Sequence, residues 1–108
     1  RQMLKQNLLT DGGVPLTVKR SEFYRLTSTS ITDLQNIDLQ GSNQVILKFD
    51  TGVAGQEGAL QNSQAPNEVN YMLLQKDDPA LIIVSNDGYL YFRSLGAYDT
   101  FLYVWVVR

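Results

Sequence analysis

The side chains that could perform chemistry in this chain are its carboxylates, because it contains no histidine and no cysteine. Without these two residue types it cannot form a Ser-His-Asp or Cys-His catalytic group. Thiolate zinc sites and disulfides are excluded for the same reason. Hydrolysis of a glycosidic bond would instead need two carboxyl groups about 5–10 Å apart across a cleft.

The carboxylates do not form an obvious pair. Most of them stand at predicted turns or strand ends, where an acidic side chain typically caps backbone donors. A chain of 108 residues also offers little room for a substrate cleft. We therefore predict a protein that is not an enzyme, with no catalytic residues and no cofactor. The acids considered are Asp33, Asp38, Asp50, Glu57, Glu68, Asp77, Asp78 and Asp99.

Two glycine-containing segments resemble ligand loops but lack the residues that ligands need. Asn86-Asp87-Gly88 lacks the alternating ligands and the closing Glu of a calcium loop. Its Asp-Gly pair instead indicates a tight turn. The repeat of Gly52, Gly55 and Gly58 lacks the Gly-Lys-Ser/Thr ending of a phosphate loop. We predict no metal site and interpret the glycine repeat as a loop.

Charge and hydrophobicity bound the partners. The net charge is −2, and Lys19 and Arg20 are the only adjacent basic residues. Because a phosphate backbone requires a basic stripe, we predict no nucleic-acid binding. The chain has no apolar run near the ~20 residues of a membrane span, so we also predict no membrane insertion.

The hydrophobic pattern of residues 14–108 is that of β-strands. Gln, Asn, Ser and Thr together account for 30 of the 108 residues, which is typical of solvated sheet faces. Seven or eight strands with short turns predict a single all-β domain, an antiparallel sandwich or jelly-roll-like fold. In this interpretation, Ile31–Leu39 is an irregular strand, Thr51–Glu68 one long loop, and Val69–Lys76 a strand.

The first 13 residues have a different character. Arg1–Leu9 consists of acceptable helix residues, with Leu4 and Leu8 four apart on one face. Gly12 and Gly13 then end the predicted helix. The segment is either a short helix packed on the β-domain or the end of a coiled-coil stalk.

The C-terminal stretch Leu81–Val107 predicts three strands in an antiparallel meander. The last of these strands is apolar on both faces. Such a strand is normally covered on both sides, by its own core, by a subunit interface or by a sugar stacked on its aromatic rings. One face carries Phe101, Tyr103 and Trp105, and the other carries Leu102, Val104 and Val106.

A stalk-like segment at Arg1–Gly13 followed by the Leu81–Val107 strands resembles, in organisation, the distal domains of phage and viral fibres, receptor-binding tips and decoration proteins. The resemblance implies a structural or attachment module on a virion or other extracellular surface. It also implies a homo-oligomer, with a trimer favoured, and a cell-surface glycan or protein as receptor. The interface candidates are Leu4, Leu8, Phe101, Tyr103 and Trp105.

The main alternative is a carbohydrate-binding module. Exposed tyrosines, or Trp105, would stack on sugar rings while amides of the long loop contact hydroxyl groups. The ligand-contact candidates are Tyr89, Tyr91, Tyr98, Asn62 and Gln64. A small carboxylate-based glycoside hydrolase is the third possibility.

Overall fold

The computed structural model describes residues 8–9, 15–16, 21–85 and 87–108. Regular structure in this part of the chain consists of β-strands, and it contains no helix long and apolar enough to cross a membrane. The strands are β1 (Leu8–Leu9), β2 (Pro15–Leu16), β3 (Ser21–Ser28), β4 (Gln35–Asp38), β5 (Gln44–Thr51), β6 (Gly58–Gln61), β7 (Met72–Leu74), β8 (Leu81–Ile83), β9 (Tyr89–Ser94) and β10 (Thr100–Val107).

The N-terminal helix predicted over Arg1–Leu9 lies outside the described residues, except for Leu8 and Leu9. These two residues form β1, which pairs antiparallel with β2. The stalk interpretation of residues 1–13 therefore stays a prediction.

Strands β3 to β10 form two four-stranded sheets with antiparallel pairing throughout. The front sheet has the order β3-β10-β5-β8, and the back sheet has the order β4-β9-β6-β7. The pairs are nested, since β3 pairs with β10, β4 with β9, β5 with β8 and β6 with β7. This arrangement confirms the prediction of an all-β antiparallel sandwich.

The predicted C-terminal meander is wrong. Strands β8, β9 and β10 lie in the front, back and front sheets in turn, so consecutive strands cross between sheets. Gly88 does take a positive φ of 82°. Gly88, however, belongs to a loop that connects the two sheets. Its carbonyl accepts a 3.0 Å hydrogen bond from the Leu39 backbone N–H. Turn chemistry is local and does not identify the partner of the strand that follows.

Three other predicted segments differ in extent. The long loop 51–68 is interrupted by β6, whose four residues are all buried. The irregular strand 31–39 is a turn followed by β4. The strand predicted over Val69–Lys76 is reduced to β7, because residues 62–71 fold over the back sheet as a loop.

The core lies between the two sheets, and its centre is an aromatic contact. Phe49 of β5 and Phe92 of β9 meet edge to face, with ring centroids 6.1 Å apart and an interplanar angle of 71°. Gly58 of β6 lies against both rings: a Cβ added there would come within 2.6 Å of Phe49 and 3.0 Å of Phe92. Around this contact pack Ile37, Leu39, Val45, Leu47, Leu60, Leu74, Leu102, Val104 and Val106.

Buried hydroxyl groups join the sheets at one end. The Ser28 hydroxyl of β3 accepts a 2.8 Å hydrogen bond from the Ser94 amide of β9. It also donates to the Asp33 carbonyl at 2.6 Å. The Thr100 hydroxyl donates to the Ser28 carbonyl at 3.0 Å. These bonds satisfy polar groups that would be costly to bury unpaired.

Gly58→Ala should lower the free energy of unfolding by about 1–3 kcal/mol, because the added methyl group overlaps the two phenylalanine rings. Gly52→Ala is the matched control, since a Cβ at Gly52 meets nothing within 4 Å. The control should change stability by about 0.5 kcal/mol or less. Urea denaturation followed by circular dichroism measures both, and equal effects would contradict the packing role given to Gly58.

Candidate functional site: the outer face of the front sheet

The alternation of β10 divides its side chains between the core and the outer surface. Leu102, Val104 and Val106 are buried in the core. The outer face of the front sheet carries the residues that alternate with these along the strand, Phe101, Tyr103 and Trp105. Trp105 is 46% exposed. Within the described residues, the second apolar face of this strand is therefore accessible.

Strand register extends this face into an apolar row across the whole front sheet. Trp105 stands opposite Phe23 of β3 on one side and Ile46 of β5 on the other. Ile46 in turn stands opposite Ile82 of β8. Phe23 is 68% exposed and Ile82 is 56% exposed. The apolar row, defined as Phe23, Trp105, Ile46 and Ile82, spans about 14 Å at the usual strand spacing.

The neighbouring positions on this face combine aromatic rings with cations. The Phe23 and Tyr103 rings stack with centroids 6.3 Å apart. The Arg25 guanidinium lies 4.8 Å from the centre of the Phe101 ring. Next to the row, the Lys48 ammonium donates to the Lys76 carbonyl at 3.2 Å and also to the Asp78 carbonyl. This lysine is thereby occupied by a loop of its own chain.

The side chains of this face are of the types that bind other surfaces. Aromatic and arginine side chains are enriched in protein interfaces, and the centres of interfaces are poor in charged groups. Aromatic faces also stack on sugar rings. The interface candidates Phe101, Tyr103 and Trp105 share this surface, whereas Leu4 lies outside the described residues and Leu8 is described only as part of β1.

A second surface, which is polar, lies on the outer face of the back sheet. The Gln64 side-chain amide donates a 2.9 Å hydrogen bond to the Tyr91 hydroxyl. Both line a depression of about 330 Å³ together with Leu34, Gln35 and Asn36. Two of the ligand-contact candidates thus come together here, although they are 27 residues apart in sequence.

The remaining ligand-contact candidates are placed elsewhere. Tyr89 is exposed on β9, and Asn62 is exposed at the start of the loop after β6. Tyr98 is half-buried against Gly96, and its hydroxyl accepts a hydrogen bond from the Glu57 amide at 3.2 Å. Tyr98 therefore holds two loops together.

Arg93 is a residue whose importance the sequence does not reveal. It lies on the outer face of β9, yet it is only 3% exposed, because residues 62–71 cover it. Its Nε donates to the Gln61 side chain at 2.7 Å, and its Nη2 donates to the Glu68 carbonyl at 2.9 Å. The guanidinium also lies 5.3 Å from the centre of the Tyr71 ring. Arg93 anchors the loop that carries Gln64.

The same loop contains a carboxylate with a lowered pKa. The Asn70 backbone N–H, followed by the Ser63 side chain, hydrogen-bonds to the Glu68 carboxylate and holds its pKa below the usual value. A carboxyl group whose pKa is lowered by folding stabilises the folded state at pH values above its unfolded-state pKa. This contribution is lost as the pH falls through the folded-state pKa. Glu68 therefore supports this loop at neutral pH and stops doing so in acid.

Three acids line a cleft of about 460 Å³ between the loops after β5 and β7. The Glu57 carboxylate accepts a 2.7 Å hydrogen bond from the Gln75 side-chain amide, and the Asp78 carboxylate accepts a 2.9 Å hydrogen bond from the Gln75 backbone N–H. The third acid is Asp77. Within the described residues, acidic side chains do not group as metal ligands would. The Glu57–Gln75 bond joins the two loops, whereas the Asp78–Gln75 bond lies within the loop after β7. The non-enzymatic character of the chain stays a prediction.

Comparison of the chain with protein-family models, curated proteins and solved structures gave no significant match.

Arg93→Lys should lower the free energy of unfolding by about 1–3 kcal/mol, because an ammonium group cannot reproduce the two divergent hydrogen bonds of the guanidinium. Arg25→Lys is the matched control, since Arg25 also lies over an aromatic ring but is exposed. The control should cost less than about 1 kcal/mol. Chemical denaturation measures both variants, and limited proteolysis within residues 62–71 should increase only in Arg93→Lys.

Proposed function

We propose that this domain is a non-enzymatic assembly and attachment module that associates with copies of itself through the apolar row. The observation that carries the proposal is the alignment of four apolar side chains, one from each strand, on a solvent-facing sheet surface. Two of these side chains, Phe23 and Ile82, are more than half exposed. Apolar surface of this kind costs free energy in water, and burial against a second copy removes that cost.

The size of the face supports an interface between copies. Three strands of eight residues and one of three residues give a face of about 430 Å² per copy, or about 860 Å² for a pair. This area is in the range of weak, transient protein–protein interfaces. Arg25 and Lys48 lie on either side of Tyr103 in the neighbouring cross-strand row, so they form a polar border along one side of the apolar row.

The nested strand order supports a finer description of the fold as a jelly roll, in which a long antiparallel hairpin is rolled into two sheets. Jelly rolls occur in viral capsid and lectin domains. Together with the fibre-like organisation of the sequence, this suggests the distal domain of an oligomeric viral or phage fibre, spike or decoration protein. In this proposal the module acts on a virion or other extracellular surface as a homo-oligomer, with a trimer favoured.

The second candidate function is glycan binding, and it is favoured by the Gln64–Tyr91 pair. An amide and a phenol joined at the wall of a polar depression could contact sugar hydroxyls while the ring stacks on a sugar face. This surface lies on the back sheet, away from the apolar row. Attachment to a glycan and assembly through the front sheet are therefore compatible in one oligomer.

Trp105→Lys should weaken self-association about tenfold or more, because a charge is placed at the centre of the apolar row. Tyr89→Lys is the matched control, since Tyr89 is a 40% exposed aromatic residue on the opposite sheet. Sedimentation velocity over a concentration series measures the association of both variants and of the native chain. Circular dichroism verifies that each variant is folded.

The fluorescence of the single tryptophan gives an independent measurement. Iodide should quench Trp105 in dilute protein, and the quenching should decrease as the concentration rises and the row becomes covered. A native chain that stays monomeric, with Trp105 equally quenched at every concentration, would overturn the assembly proposal. Loss of glycan-array binding in Tyr91→Ala with unchanged self-association would support the second function separately.

A further inference from the structure

Among residues 21–85 and 87–108, the sandwich is open along the edge where β7 and β8 lie. Met72 pairs with Leu60 of the core and shares its inward direction, yet it is 50% exposed. On β8, Leu81 and Ile83 also point inward, opposite the buried Leu47 and Val45, and remain only partly buried. Inward-facing side chains of an isolated sandwich are normally covered, so the described part of the chain leaves this edge without a covering layer.

Two apolar depressions lie along the open edge, one on each side of Met72. The first, of about 200 Å³, is a gap into the core. The second has a volume of about 370 Å³. A cavity of about 150 Å³ with apolar walls is enough to hold a benzene ring, so each depression has room for a large apolar side chain. The first is lined mainly by Leu47, Phe49, Leu74, Leu81 and Leu102, and the second by Leu60, Tyr71, Ile83 and Leu90.

The backbone of this edge is available for pairing. Strand β8 ends the front sheet and β7 ends the back sheet, and each has one strand partner within the described residues. An edge strand leaves every second N–H and C=O group free to pair with another strand. An extended chain added to β8 would place alternate side chains about 7 Å apart on its inner side, as two neighbouring depressions require.

Charge at both ends of β8 restricts the chemistry of the occupant. Asp77 and Asp78 precede the strand, and Asp87 follows it. Two lysines also lie at the first end: Lys76 pairs with Asp50, and the Lys48 ammonium donates to the backbone carbonyls of Lys76 and Asp78. The salt bridges of the described residues therefore involve none of the three carboxylates. The carboxylates therefore favour an occupant with basic residues at its ends.

We propose that the β7–β8 edge binds an extended segment of a partner chain, apolar at alternate positions and basic at both ends. The segment adds to the front sheet as a strand beside β8, with two apolar side chains in the depressions and its terminal cations near Asp77, Asp78 and Asp87. This mode of recognition uses main-chain hydrogen bonds for affinity and alternate pockets for specificity. The site meets the apolar row at Ile82 alone, whose backbone belongs to the β8 edge while its side chain belongs to the row.

The probe is an acetylated and amidated heptapeptide, Lys-Leu-Thr-Leu-Thr-Leu-Lys, with a fluorescent label for anisotropy. Its control has the same composition in the order Lys-Thr-Thr-Leu-Leu-Leu-Lys, which keeps charge and hydrophobicity but removes the alternation. The alternating peptide should bind about tenfold more tightly or better. N-methylation of the amides along one edge of the peptide should weaken binding by a similar factor, whereas N-methylation along the other edge should not.

The protein variants separate this proposal from the proposed assembly function. Met72→Lys places a charge between the depressions and should weaken peptide binding about tenfold, with self-association unchanged. Phe23 is an exposed apolar residue on the opposite edge strand of the front sheet. Phe23→Lys should weaken self-association and leave peptide binding unchanged. Met72→Ala provides a second variant that enlarges the opening without adding charge, and it should weaken binding less than Met72→Lys.

Three results would overturn the proposal. Equal binding of the two peptides would show that alternation is not recognised. Equal binding of both N-methylated forms would show that the main chain is not paired. Binding of N-phenyl-1-naphthylamine, a neutral apolar dye, without binding of the alternating peptide would assign the depressions to a small apolar ligand.

Discussion

The edge-to-face contact between Phe49 and Phe92 sets the geometry on which the other features depend. It joins a central strand of the front sheet to a central strand of the back sheet, with their rings 6.1 Å apart. Gly58 permits the approach, because any side chain at that position would occupy the space of the rings. Once these rings face inward, the period of two in each strand determines which residues of β5, β9 and β10 reach solvent.

Two surfaces follow from this geometry, and their chemistry differs. On the front sheet, the outward residues of four strands align as an apolar row with cations along one side. At the β7–β8 edge, the short strands leave inward residues such as Met72 uncovered, and the core opens between them. The first surface offers a flat side-chain face, whereas the second offers unpaired backbone next to apolar depressions. A protein that assembles and attaches could use both surfaces at once, because they meet only at Ile82 of β8, through its side chain in one case and its backbone in the other.

Part of the candidate site can be predicted from the sequence. That Phe101, Tyr103 and Trp105 share a face follows from alternation within one strand, which is local information. The inclusion of Phe23, Ile46 and Ile82 in the same row depends on the register between strands, and no residue of β10 encodes its partners on β3 or β5. Arg93 shows the same limit. Its alternation with Tyr89 and Tyr91 predicts an outward residue, but it is buried because a distant loop packs over it.

The sequence by itself determined the strand-rich character of the described residues, the antiparallel class and the exclusion of histidine and cysteine chemistry, because composition and side-chain period are properties of the chain alone. Tertiary structure decided which strands pair, and it replaced the predicted C-terminal meander by strands that cross between two sheets. The physical reason is that strand pairing joins backbone groups far apart in the chain, and these groups are chemically alike at nearly every residue. Only the simultaneous burial of all the apolar faces selects the nested pairing, and with it the row and the open edge.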